Sequence, residues 1–123
     1  MNNILVIDDE EIVRKKIKKV LVDKNYNVEE ATDGQNAIDI LQNKSFDLII
    51  LDVVMPNKGG LDTLFELSSI VHDKIKIIMI SGKAPSKSEL FMSLLSNFGS
   101  EKFLQKPFRK KELLDTVEQL LKS

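Results

Sequence analysis

The chain has 123 residues, 42% hydrophobic and 30% charged, a composition that suits one globular domain and lies far from the disordered regime. Lys and Arg number 18 against 19 Asp and Glu, so the net charge of −1 gives no electrostatic reason to expect a nucleic-acid or membrane partner. There is no cysteine, which excludes disulfides, zinc–thiolate sites and thiol catalysis.

The apolar runs are short, and none approaches the roughly 18 residues of a membrane-spanning helix. The chain opens Met1-Asn2-Asn3 and moves directly into an apolar run, without the layout of a signal peptide, so a cytoplasmic location is expected. In chain order, five runs read as strands: Ile4 to Ile7, Val28 with Ala31, Phe46 to Leu51, Ile75 to Ile80, and Phe103 with Leu104. Three of them are nearly continuous in Ile, Leu and Val, as in strands buried on both faces of a parallel sheet.

Helical spacing fills the intervals. Val13, Ile17, Val20 and Leu21 share one face, with Lys15, Lys16, Lys18 and Lys19 largely opposite. Ala37, Ile38 and Leu41 form a second stripe. Leu61, Leu64, Phe65 and Ser68 form a third, and Leu90, Leu94 and Leu95 a fourth. Leu113, Leu114, Val117, Leu120 and Leu121 form the last. Strand and helix thus alternate five times, which predicts an α/β parallel sheet with helices on both faces and right-handed crossovers. No repeat or linker interrupts the pattern. The chain is read as one stand-alone domain over residues 1–123, without an output domain.

Ligands of such sheets sit beyond the carboxyl ends of the strands. At those ends stand Asp8 and Asp9 after the first strand, Asp52 at the third, Ser81 at the fourth and Lys106 after the fifth. If the first and third strands are neighbours, the three aspartates converge. Two like charges about 4 Å apart repel by roughly 4 kcal/mol at an effective dielectric near 20. The cluster therefore requires a cation or raised pKa values. Magnesium, with manganese as a substitute, suits an all-oxygen site that shares its shell with phosphate. Asp52 can attack phosphorus if charge on the transferring group is neutralised, with Lys106 as a point charge and the Ser81 hydroxyl as a hydrogen-bond donor. Taken singly, each signal has a plainer reading: a helix N-cap for Asp8 or Asp9, a turn former for Asp52, a loop pair for Ser81-Gly82, a solvated Lys106. Their joint placement on one edge is what points to a site.

Across the whole chain these residues resemble the receiver domains of bacterial response regulators. Ile4-Leu5-Val6-Ile7-Asp8-Asp9-Glu10 is similar to that family's acidic-pair motif, and Asp52-Val53-Val54-Met55-Pro56 with Gly60 to its phosphorylation motif. Ser81 stands for its hydroxyl residue, and Lys106-Pro107-Phe108 resembles its Lys-Pro signature. Ala31-Thr32-Asp33-Gly34 with Ala37 is similar to its second-strand exit.

The resemblance implies a doubly wound, flavodoxin-like (βα)5 fold with strand order 2-1-3-4-5. It implies a two-component response regulator that accepts a phosphoryl group on Asp52 from a sensor histidine kinase or phosphotransfer protein. Asp9 would ligate magnesium directly, Asp8 mainly through water, Asp52 through a carboxylate oxygen and Val54 through its backbone carbonyl. The Lys106–Pro107 bond would be cis. On phosphorylation Ser81 would move toward the phosphate and Phe103 would turn inward, reshaping the face of the fourth helix, fifth strand and fifth helix for a downstream protein. The protein would be a switch rather than a turnover enzyme, a monomer or a phosphorylation-linked dimer, and would bind neither nucleic acid nor membrane directly.

Some positions depart from the family pattern. Val54 cannot position an attacking water, so slow dephosphorylation is expected. Gly82 adds backbone freedom beside the site. The interval from Ser81 to Lys106 is about three residues longer than the family's, with the surplus read as a loop at Lys83 to Ser88. The rival reading, an aspartate-nucleophile phosphatase, needs an acid two positions after the nucleophile, where this chain has Val54.

Overall fold

The computed structural model describes residues 2–53, 58–72, 74–82 and 89–122, with only the backbone considered at 53 and 58–61. Its elements alternate throughout: β1 (Asn3–Ile7), α1 (Glu11–Val22), β2 (Asn27–Ala31), α2 (Gly34–Leu41), β3 (Leu48–Val53), α3 (Lys58–Ser68), β4 (Lys76–Ser81), α4 (Glu89–Leu95), β5 (Ser100–Gln105) and α5 (Lys110–Lys122). The five strands form one parallel sheet in the order β2-β1-β3-β4-β5. This is the doubly wound fold expected from the alternation and the resemblance.

The central strands are buried on both faces because successive side chains point to opposite sides. Leu5, Ile7, Ile49, Leu51, Ile77 and Met79 join the core beneath α2, α3 and α4. Ile4, Val6, Leu48, Ile50, Ile78 and Ile80 join the core beneath α1 and α5. A strand whose every position is consumed this way must be almost uninterruptedly apolar, which is why β1, β3 and β4 stand out in the sequence.

Two helical stripes need correction. On α3, Leu64 and Leu67 are buried and Phe65 is 60% exposed, so the inward face runs through Leu67 and not Phe65. On α4, Phe91 packs inward with Leu94 and Leu95, whereas Leu90 is exposed. Both errors rotate the stripe by one residue. An apolar residue beside the true seam fits the 3.6-residue period nearly as well as the seam itself. The fifth strand is also longer than Phe103 with Leu104, because half-buried Glu101 and exposed Lys102 belong to an edge strand whose pairing, not its hydrophobicity, extends it.

Gly34 opens α2 close to α3, where an added Cβ would lie 3.1 Å from the Thr63 Oγ1. Gly82 has no such constraint: none of the described glycines has a positive φ, and a Cβ at Gly82 would meet nothing within 4 Å. The backbone freedom expected there is not used by this conformation. Among the described residues, no helix is long and apolar enough to cross a membrane.

Candidate functional site

Register assembles the site. β1 and β3 are parallel neighbours with Ile4 opposite Leu48 and Ile7 opposite Leu51. The next residues along, Asp8 and Asp52, therefore leave the sheet side by side, in the same alternation phase as Val6 and Ile50. β4 pairs with β3 so that Val53 faces Ser81, and β5 pairs with β4 so that Gln105 faces Ser81. Ser81 is buried at the end of β4, and its carbonyl accepts a 2.8 Å hydrogen bond from the Lys106 N–H. That bond holds the start of the Lys106-Pro107 segment against the sheet edge; the peptide bond between these two residues is cis.

Asp8 is buried, with 2% of its surface exposed, and the Asp52 side chain is 1% exposed. Each carboxylate has one oxygen satisfied within the chain. The Glu10 N–H donates to Asp8 Oδ1 at 2.8 Å, and Lys106 Nζ donates to Asp52 Oδ2 at 2.5 Å. The other oxygen of each, Asp8 Oδ2 and Asp52 Oδ1, is buried and has no partner. Burial is the main cause that pushes the Asp8 carboxyl from 3.8 up to about 7. The adjoining Asp52 carboxylate adds to the shift, while the Glu10 N–H and the Lys106 ammonium work against it.

Two desolvated carboxylate oxygens beside a single ammonium fit a hard cation, because an all-oxygen donor set is what magnesium takes and a dication removes the desolvation penalty. Glu10 belongs with them: one carboxylate oxygen from each of Asp8, Glu10 and Asp52 lies within 4.8 Å of the others. Asp9, expected as a direct ligand, is exposed and stands outside this group. Val54 lies outside the described residues, as does the loop at Lys83 to Ser88.

Two residues were not singled out from the sequence. Glu10 was read only as part of a motif. Arg14 sits in a helix among lysines, yet it is buried and forks between Glu30 Oε1 through Nε and the Asp8 carbonyl through Nη1, both at 2.8 Å. Its place on the inward stripe, three residues before Ile17, was the available signal. The N-cap weighed for Asp8 is not what it forms: Glu10 holds the capping position of α1, and Asp8 accepts the N–H of Glu10 itself. Phe103 is half-buried and already packs on Phe91 of α4, with ring centroids 5.8 Å apart.

A doubly wound parallel sheet with an acidic pocket at its carboxyl edge, closed by a lysine just after the last strand, is the architecture of a class of signalling domain. The chain belongs to the response regulator receiver domain family, whose model matches residues 4–118. It is 37% identical over 122 residues to the transcriptional regulatory protein CpxR of Escherichia coli K12, covering 99% of this chain and 50% of that protein. Among solved structures, it is similar to the response regulator TrrA of Thermotoga maritima in complex with Mg2+ and BeF, at 30% identity and a TM-score of 0.79, covering 98% and 99% of the two chains. It is likewise similar to the chemotaxis response regulator CheY4 of Vibrio cholerae, at 28% identity and a TM-score of 0.74, covering 98% of each chain. The chain spans about half the length of the curated relatives it matches. It is a response regulator receiver domain of two-component signalling, with an acidic pocket of the kind in which receiver domains bind Mg2+.

Proposed function

We propose that Asp52 accepts the phosphoryl group and that Asp8, Asp9, Asp52 and the Val54 carbonyl hold the magnesium ion. The observation that carries this reading is the pair of buried, unpartnered oxygens, Asp8 Oδ2 and Asp52 Oδ1, beside the Lys106 ammonium. Magnesium, when bound, neutralises charge on the transferring group. The chain's own residues do the rest. A carboxylate oxygen of Asp52 carries the lone pair that forms the new O–P bond. The N–P bond of a phosphohistidine donor breaks, and its electron pair stays on the imidazole. No general base is needed, because a carboxylate is already a nucleophile. Lys106 already lies against Asp52 and supplies a positive charge where negative charge collects. Ser81, on the adjacent strand end, donates its hydroxyl to a phosphoryl oxygen.

The donor in this reading is a sensor histidine kinase or a phosphotransfer protein. The fluoroberyllate and Mg2+ held together in the TrrA structure support pairing a cation with a phosphoryl-like group in this fold. The output is a change at the α4-β5-α5 face, with Ser81 and Phe103 as the moving parts, and a downstream protein reads it. The domain acts as a switch and turns over no external substrate, in the cytoplasm.

Intact-protein mass spectrometry after incubation with acetyl phosphate tests the assignment. Wild type should gain one phosphoryl mass only with magnesium present, and Asp52→Asn should gain none. An adduct that persists in Asp52→Asn would move the acceptor elsewhere. No adduct in wild type, with acetyl phosphate or with a phosphorylated kinase, would remove the phosphoacceptor reading.

A further inference from the structure

Glu10 has no part in the chemistry above, yet its side chain is drawn toward it. It occupies the position preceding α1 but makes no side-chain capping bond. It is exposed, so water is open to it. An exposed carboxylate on a flexible stem, next to two buried carboxylates, is repelled by both and is better solvated pointing outward. One of its oxygens nevertheless lies within 4.8 Å of carboxylate oxygens of both Asp8 and Asp52. The buried oxygens Asp8 Oδ2 and Asp52 Oδ1 are without a hydrogen-bond partner at the same place, which separately fits them to a cation. The Glu10 backbone contributes as well, because its N–H ties down Asp8 Oδ1 and leaves Oδ2 as the free oxygen.

We propose that Glu10 is a third carboxylate ligand of the cation site, so that the receiver holds its divalent ion firmly before any phosphoryl group arrives. This rests on the metal-dependent reading of the site given above. The effect is electrostatic. Whatever Asp9 adds, Glu10 brings one more negative charge within 4.8 Å of the Asp8 and Asp52 oxygens, so a dication is held more tightly before a phosphoryl oxygen joins its shell.

The test is a titration of the unphosphorylated protein with Mn2+, followed by electron paramagnetic resonance of the free ion, on wild type, Glu10→Gln and Asp9→Asn. Glu10→Gln should weaken binding at least tenfold, since a full charge next to a dication is lost. Its melting temperature in EDTA should not fall below wild type, because the side chain is exposed, caps nothing and is repelled by Asp8 and Asp52 when no cation is bound. Unchanged Mn2+ affinity in Glu10→Gln, or a loss confined to Asp9→Asn, would overturn the proposal and leave the rest of the site intact. An absence of saturable Mn2+ binding by wild type would instead sink the metal-dependent reading itself and Glu10 with it.

Discussion

Asp8 is held in a conformation that disfavours its own charge. Burial, with Asp52 alongside, raises its carboxyl from 3.8 to about 7, so the metal-free folded protein retains a proton that the unfolded chain has already released. Stability of the metal-free protein therefore falls as pH rises from about 4 to about 7. Asp8→Asn removes this cost. In EDTA at pH 8 the variant should be more stable than wild type by on the order of 2 kcal/mol, one pKa unit being worth about 1.4 kcal/mol. The difference should shrink toward zero near pH 4, as read by urea denaturation at both pH values. A gain that is constant with pH would assign the stabilisation to something other than the ionisation of Asp8. Lys106 presents the complementary case, since its ammonium is the only described partner of Asp52 Oδ2. Lys106→Met leaves that oxygen buried and unpaired, so it should lower stability by about 1–3 kcal/mol in EDTA as well as slowing phosphoryl uptake.

At the scale of elements, Arg14 binds α1 to the ends of two strands. Its fork joins Glu30 of β2 to the carbonyl of Asp8 after β1, and Lys15 and Lys18 also reach Glu30. Burial pushes the Glu30 carboxyl up, but the hydrogen bonds from Arg14 and Lys15, the charge of Lys15 and the bond from Lys18 outweigh it and hold the group below its ordinary 4.5. The stabilisation this represents is present above pH 4.5 and is lost as pH falls through the lowered value. Arg14→Met should cost roughly 2–4 kcal/mol, because it strands a buried carbonyl and a mostly buried carboxylate. Arg14→Lys should recover only part, since an ammonium cannot supply the two-pronged contact. Thermal melts of both variants, beside Glu30→Gln, measure this. A melting temperature for Arg14→Met equal to wild type would mean that the fork contributes no stability.

At the scale of the whole molecule, one sheet serves two cores. Ile49 faces α2, α3 and α4, while its neighbour Ile50 faces α1 and α5, and both are fully buried. Ile49→Ala and Ile50→Ala should each cost about 2–5 kcal/mol. Because the same strand carries both, either variant should unfold in a single transition by circular dichroism and by Tyr26 fluorescence. Transitions that separate by probe would show that the two layers fold independently. The layered arrangement also explains why the site lies where it does. Every interior position of the central strands is spent on packing, so polar chemistry is left to the strand ends, where Asp8, Asp52, Ser81 and Lys106 stand.

That much was legible beforehand. The apolar runs of β1, β3 and β4 determined the strands, and the polar residue at each strand end determined the edge that carries chemistry, because both are local properties of a buried parallel strand. Lateral detail was not local. The rotation that buries Leu67 and exposes Phe65 depends on where α2 and α4 sit. The place of Glu10 beside Asp8 and Asp52, and of Asp9 outside that group, depends on how the chain turns into α1. Arg14 reads as one more cation on a basic helix until β2 brings Glu30 to it. By itself, the sequence determined the fold class, the acceptor candidate and its lysine. The tertiary structure alone decided which carboxylates share the pocket, since strand register and helix rotation set distances that residues far apart in the chain do not encode individually.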